Sequence, residues 1–225
     1  MKNIVNVMKY SFKSLKILYF IELIIVLLGL VTGRFIAMFT GGWDIVAVVA
    51  TLGTVNFIAH IILFSNQLSK EYGRLLFITP IRGIEFIIGN LLELILVNLG
   101  FILITIIINI VNIGTINSEI LISMLASMWL IVAYLIITSL IVIIASYIRN
   151  TFLVIITVVF ASIIGNGVYE AISSRILEWL PYVYMTIGER NIIEIDIISS
   201  ILGLGILIAL QIVAASHIDK KIDIV

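Results

Sequence analysis

Apolar runs much longer than a soluble helix requires fill most of this chain, and short charged segments separate them. A helix that crosses a membrane needs about 20 mostly apolar residues. Six stretches satisfy this: Ile17–Phe39, Ile45–Phe64, Ile84–Val111, Ile120–Tyr147, Thr151–Val168 and Ile195–Ser216. Transmembrane β-strands would be about 10 residues long and would alternate polar with apolar. The runs here are longer and do not alternate, so they predict helices. The fifth is the shortest, because it ends in Gly165-Asn166-Gly167.

Three segments outside these runs have patterns of their own. Residues 1–16 read as an amphipathic helix, with Ile4, Met8, Phe12 and Leu15 on one face and Asn6, Lys9, Lys13 and Lys16 on the other. That is the pattern of a helix lying in the membrane plane. Residues 65–83 begin with a second amphipathic pattern. Leu68, Tyr72, Leu75 and Leu76 point one way, while Gln67, Lys70, Glu71 and Arg74 point the other at helical spacing. Thr79-Pro80 should end it, because the residue before proline disfavours the α conformation. Residues 169–194 are too apolar and aromatic for a free loop, and Pro181 breaks them. They predict a short re-entrant or interfacial helical element between spans five and six. No linker divides the chain, so residues 1–225 form one membrane domain of the all-α integral class.

Composition fixes the solvent. The chain is 62% hydrophobic and 12% charged, against about 45–50% and about 25% for soluble domains. Net charge is zero, which gives no electrostatic reason to expect nucleic acid as a partner. Cysteine is absent, excluding disulfides and thiolate metal sites. Lys and Arg set the orientation. Lys2, Lys9, Lys13, Lys16, Lys70, Arg74, Arg82, Arg149, Lys220 and Lys221 fall on one side of the six-span layout, and only Arg34, Arg175 and Arg190 on the other. Both termini and the 65–83 loop are therefore expected in the cytoplasm, in a multi-pass protein of a bacterial cell membrane. The first apolar run is too long for a signal peptide, and no cleavage site follows it.

Motifs for chemistry are sparse. There is no phosphate-binding G-x-x-x-x-G-K-[ST] loop, no H-E-x-x-H and no nucleophile elbow, so an enzyme is not expected and this chain should bind no ATP itself. His60 and His217 sit near the ends of different spans, without the clustered ligands a metal needs. Glu22 and Glu93 lie inside spans, where an ionised group is costly and is a functional suspect. Glu22 is six residues beyond Lys16, roughly 9 Å along a helix. Both carboxylates are expected to reach the cytoplasmic interface or a basic partner such as Lys16 or Arg82, as a structural ion pair or as a polar patch at the mouth of a pathway. Asn98 joins them as a candidate, with Asn109 and Gln211 as interhelical hydrogen-bonding groups.

The loop adds a resemblance. Glu71, Gly73, Leu75-Leu76, Thr79-Pro80, Glu85 and Gly89 resemble the cytoplasmic loop of ABC-2 type transporter permeases. The basic N-terminal helix, six spans and apolar element between spans five and six match the layout of that family. Arg74 departs from it, standing where a smaller or polar residue is expected. The resemblance implies that the segment between spans two and three is a coupling helix seated on a separate ATP-binding subunit, which would hold the ATP and Mg. Gln67, Lys70, Glu71, Arg74, Thr79 and Pro80 would form that docking surface. It also implies a dimer with a second copy or a paralogue, exporting a hydrophobic or amphipathic substrate. Small permeases of this kind resemble exporters of antimicrobial or amphipathic peptides such as bacitracin, lantibiotics or phenol-soluble modulins. The rival is a self-contained secondary transporter or channel, which would need midplane charges or broken helices at matched positions in both halves.

Overall fold

The computed structural model describes the backbone of residues 2–40, 43–68, 81–113, 118–148, 150–177, 179, 184–187 and 193–221. Side chains are described chiefly over 2–28, 51–68, 81–104, 128–148, 152–172 and 200–220. Six helices account for most of this: α1 Lys2–Thr40, α2 Trp43–Gln67, α3 Gly83–Ile113, α4 Ser118–Ala145, α5 Thr151–Leu177 and α6 Ile197–Lys221. Four contain windows long and apolar enough to cross a membrane, at Gly83–Ile104, Met128–Ala145, Phe152–Ile172 and Ser200–Lys220. These coincide with the third to sixth runs of the sequence. The first two runs lie within α1 and α2, partly among side chains outside the described set.

Three elements differ from expectation. The amphipathic segment 1–16 is not a separate helix, because α1 runs without interruption from Lys2 to Thr40. No Gly or Pro occurs before Gly29, so nothing in the sequence stops the helix between segment and span. Gly165-Asn166-Gly167 does not end the fifth helix, which continues to Leu177. Asn166 Nδ2 donates to Glu170 Oε1 at 3.0 Å, an i,i+4 pair along the helix surface. Beyond α5, a short antiparallel hairpin stands where a helical re-entrant element was expected. Its strands β1 (Tyr184–Ile187) and β2 (Ile193–Asp196) pair Tyr184 with Asp196 and Ile187 with Ile193.

The chain divides into two compact units. The first holds α1, α2, α3 and α4 as far as Leu135. Within it α1 packs against both α3 and α2, most extensively against α3. Two contacts locate that packing. At one end, a Cβ on Gly89 would lie 2.7 Å from the Val7 Cβ and 3.1 Å from the Ile4 carbonyl oxygen, so the two backbones approach too closely for any larger residue. At the other, Val26 and Leu52 are buried together with Phe101 and Ile104 against them. The N-terminus of α3 is fixed by its own sequence. Glu85 reaches back to the Arg82 backbone N–H at 3.2 Å, one half of a capping box, and also accepts from Asn3 Nδ2 at 2.9 Å.

The second unit, Ile136–Ile222, comprises the end of α4, α5, the hairpin and α6. Asn150 caps α5, its Oδ1 accepting from the Phe152 and Leu153 N–H groups at 3.0 and 3.4 Å. Along α5, Phe152, Ile155, Val159, Phe160, Ile163 and Ile164 are exposed, and Ile201, Leu204, Ile208 and Ile212 are exposed along α6. Apolar surface of this extent is not left in water by soluble proteins.

Candidate functional site

Inside the first unit, the polar residues of α1, α2 and α3 meet in one seam. Ser11, Glu22, Asn56, His60, Gln67, Asn90 and Glu93 are all buried. The polar groups fall eleven residues apart on α1, four and seven apart on α2 and three apart on α3, spacings that keep each set on one face. An ionisable group on a membrane helix that faced lipid would be costly, so these faces turn toward one another.

The seam has three levels. Nearest the 65–83 loop, Gln67 Nε2 donates to Ser11 Oγ at 2.9 Å, and Ser11 Oγ donates to Asn90 Oδ1 at 2.8 Å. Asn90 Nδ2 in turn donates to the Phe86 carbonyl at 3.1 Å, and the Phe64 and Phe86 rings pack beside the network with centroids 5.1 Å apart. The last residue of α2 and the first turns of α3 are thereby tied to each other and to α1. This placement corrects the expectation for Gln67. It belongs to the packed interior, only 1% exposed, and not to an outward docking face. Lys70, Glu71, Arg74, Thr79 and Pro80 lie outside the described residues.

The middle level holds Tyr19, His60 and Glu93. His60 Nε2 is 2.5 Å from Glu93 Oε2 and 3.0 Å from the Tyr19 hydroxyl. The Tyr19 hydroxyl donates to the other carboxylate oxygen, Oε1. His60 Nδ1 lies 2.7 Å from the Asn56 backbone carbonyl. A carbonyl only accepts, so Nδ1 carries a hydrogen. The Tyr134 ring stands edge-on to His60, centroids 6.4 Å apart, and closes this level from α4. Counting along α3, Glu93 is ten residues from the helix start, roughly 15 Å in at 1.5 Å per residue.

Deepest is Glu22, whose Oε2 accepts from Asn56 Nδ2 at 2.9 Å. Glu22 Oε1 and Asn56 Oδ1 are buried and have no hydrogen-bond partner among the described residues. Neither carboxylate reaches Lys16 or Arg82, the partners expected from sequence distance. The partner of Glu93 is His60, on a different helix, and that of Glu22 is Asn56. His60, set aside in the sequence as a helix-end histidine, is thus the central base of the seam. The signal for it was its four-residue spacing from Asn56. Asn98 is buried five residues beyond Glu93 along α3. His217 lies in the second unit beside Tyr147, Nε2 to hydroxyl 3.4 Å. Among the described residues no group of three or more His, Asp or Glu side chains is placed to hold a metal ion.

Long apolar helices with exposed apolar faces and an enclosed polar seam define the class: a helical membrane protein. No protein-family model matches the chain, and no curated protein sequence is significantly similar to it.

Proposed function

We propose that this chain is the membrane permease subunit of an ATP-driven exporter of the ABC-2 type. In this reading it lies in a bacterial cell membrane with both termini in the cytoplasm. It pairs with a second copy or a paralogue and moves a hydrophobic or amphipathic substrate, a peptide in the first instance. The ATP and Mg belong to a separate ATP-binding subunit.

The observation that carries the reading is the anchoring of the charged 65–83 segment. Its two roots, Gln67 at the end of α2 and Asn90 at the start of α3, are both bonded to Ser11 of α1, and the Phe86 ring of α3 packs on Phe64 of α2. A push on a segment rooted in this way moves three helices together. That is what a coupling element needs in order to turn a partner's closure into a rigid-body movement of the bundle. The loop motif Glu71, Gly73, Leu75-Leu76, Thr79-Pro80 supports the same reading.

The test is co-purification of the tagged chain with the ATPase encoded beside it, from mild detergent. Retention by the wild type and loss in Glu71→Arg or a Lys70/Arg74 charge reversal is the expected result. A chain that purifies alone, with no effect of those substitutions on it, overturns the reading. The second reading, a self-contained secondary transporter, is favoured by one observation, the buried Glu22, His60 and Glu93. It predicts that same solitary behaviour.

A further inference from the structure

The proton inventory of the seam can be taken from its geometry. His60 Nδ1–H is committed to the Asn56 carbonyl. Nε2 and Glu93 Oε2, at 2.5 Å, cannot both present lone pairs, so one proton lies between them. Imidazolium with carboxylate and imidazole with carboxylic acid are two forms of that same occupancy, and both are neutral overall. The Tyr19 hydroxyl is already spent on Glu93 Oε1. Glu22 then stands apart: it makes no ion pair among the described residues, and its only hydrogen-bond donor is an amide. Among the described residues its Oε1 and the Asn56 Oδ1 have no hydrogen-bond partner, although both are enclosed. An ionised, uncompensated carboxylate in such a place is strongly unfavourable, and a proton on Glu22 removes the charge.

We propose that Tyr19, Glu22, Asn56, His60 and Glu93 form a proton-binding site within the membrane helices. Glu22, Glu93 and His60 Nε2 share two exchangeable protons in the closed bundle. With two bound the seam is neutral. Release of one to water leaves a net negative charge between α1 and the α2–α3 pair, which weakens the hold on α1. The groups that face the site are Tyr19 and Glu22 from α1, His60 from α2, Glu93 from α3 and Tyr134 from α4. Lys9, Lys13 and Lys16 are exposed and do not enter it. The site does not depend on what drives transport, and its test leaves the ATPase partner aside.

The experiment is infrared difference spectroscopy on the full chain in lipid nanodiscs, stepped between about pH 5 and about pH 8, the range in which histidine chemistry normally switches. Exposed carboxyls are mostly ionised at the lower limit, so a carboxylic-acid C=O band that persists there reports enclosed acids. The expected result is such a band that vanishes reversibly as pH rises, shifts in D2O, and is diminished in both Glu22→Gln and Glu93→Gln. Tyr19→Phe removes the donor to Glu93 Oε1 and should shift the frequency of the band that remains. A folded wild type without the band overturns the proposal. So does a band constant across the range, which marks a locked structural proton, or one undiminished in both glutamine variants. Should Glu93→Gln fail to fold, Glu22→Gln and Tyr19→Phe leave the His60–Glu93 pair in place and decide the matter.

Discussion

Replacing Gly89 with alanine adds one methyl group at the tightest approach between α1 and α3. The new Cβ would lie 2.7 Å from Val7 Cβ, 2.8 Å from Val7 Cγ1 and 3.1 Å from the Ile4 carbonyl oxygen. Carbon pairs settle at about 3.5–4.0 Å, so α1 must retreat by about 1 Å. Overpacking of this kind costs about 1–3 kcal/mol. Alanine's better helix propensity returns about 0.5–1 kcal/mol. The retreat also stretches the neighbouring Ser11–Asn90 bond from 2.8 Å toward its limit, which adds to the loss. The net expectation is a destabilisation of about 1–2 kcal/mol by these terms. Unfolding in mixed micelles of rising denaturing-detergent content measures it. A double-mutant cycle with Val7→Gly sharpens the test, since that change removes the two closest atoms and leaves only the Ile4 oxygen in the way. The pair should be coupled by about 1 kcal/mol, as neighbours in contact are. A Gly89→Ala variant at least as stable as the wild type, or an additive cycle, refutes the close approach.

Other substitutions test the rest of the bundle. Glu93→Leu strands the His60 imidazole and the Tyr19 hydroxyl and should cost about 3–5 kcal/mol, whereas His60→Phe/Glu93→Leu should recover much of it because nothing charged is left behind; equal instability of the single and double variants would count against the pair. Gln67→Ala should lower stability by about 1–2 kcal/mol through the lost bond to Ser11, without selectively abolishing co-purification with an ATPase; the reverse pattern would return Gln67 to the docking surface. Gly165→Ala and Gly167→Ala should each stabilise α5 by about 0.5–1 kcal/mol, since a Cβ at either position meets nothing within 4 Å, and a loss measured in the same unfolding assay would contradict the continuous helix.

The helices were legible because the bilayer demands long apolar runs, and those runs map onto α1 to α6. The differences at their ends share a cause. In water, two glycines such as Gly165 and Gly167 can end a helix. In lipid the unpaired N–H and C=O groups of a broken helix have no water to turn to, and the helix continues. The same reasoning joins residues 1–16 to the first span, since no helix-breaking residue separates them. The hairpin was harder to see. An apolar, aromatic stretch fits a helix or a strand, and what separates them is turn chemistry. Gly188-Glu189-Arg190-Asn191 between two β-branched runs was the available sign.

The seam was half legible. Glu22 and Glu93 stand out as carboxylates inside apolar runs, and the chain's nearest basic residues are Lys16 and Arg82, yet the fold brings their partners from across the bundle. The periodicity already held that answer. Asn56, His60 and Gln67 fall at intervals of four and seven on α2, and Asn90 and Glu93 at an interval of three on α3. Two polar stripes on otherwise apolar membrane helices have one inexpensive arrangement, face to face. Gln67 shows which signal prevails where two conflict. Its nearness to Lys70 and Glu71 places it with the charged loop, while its seven-residue offset from His60 places it on the buried stripe. Two helical turns repeat the face almost unchanged, and an amide on that face finds its hydrogen bonds inside. Gln67 therefore ends α2 pointing inward to Ser11, and the docking surface, if the loop provides one, begins beyond it.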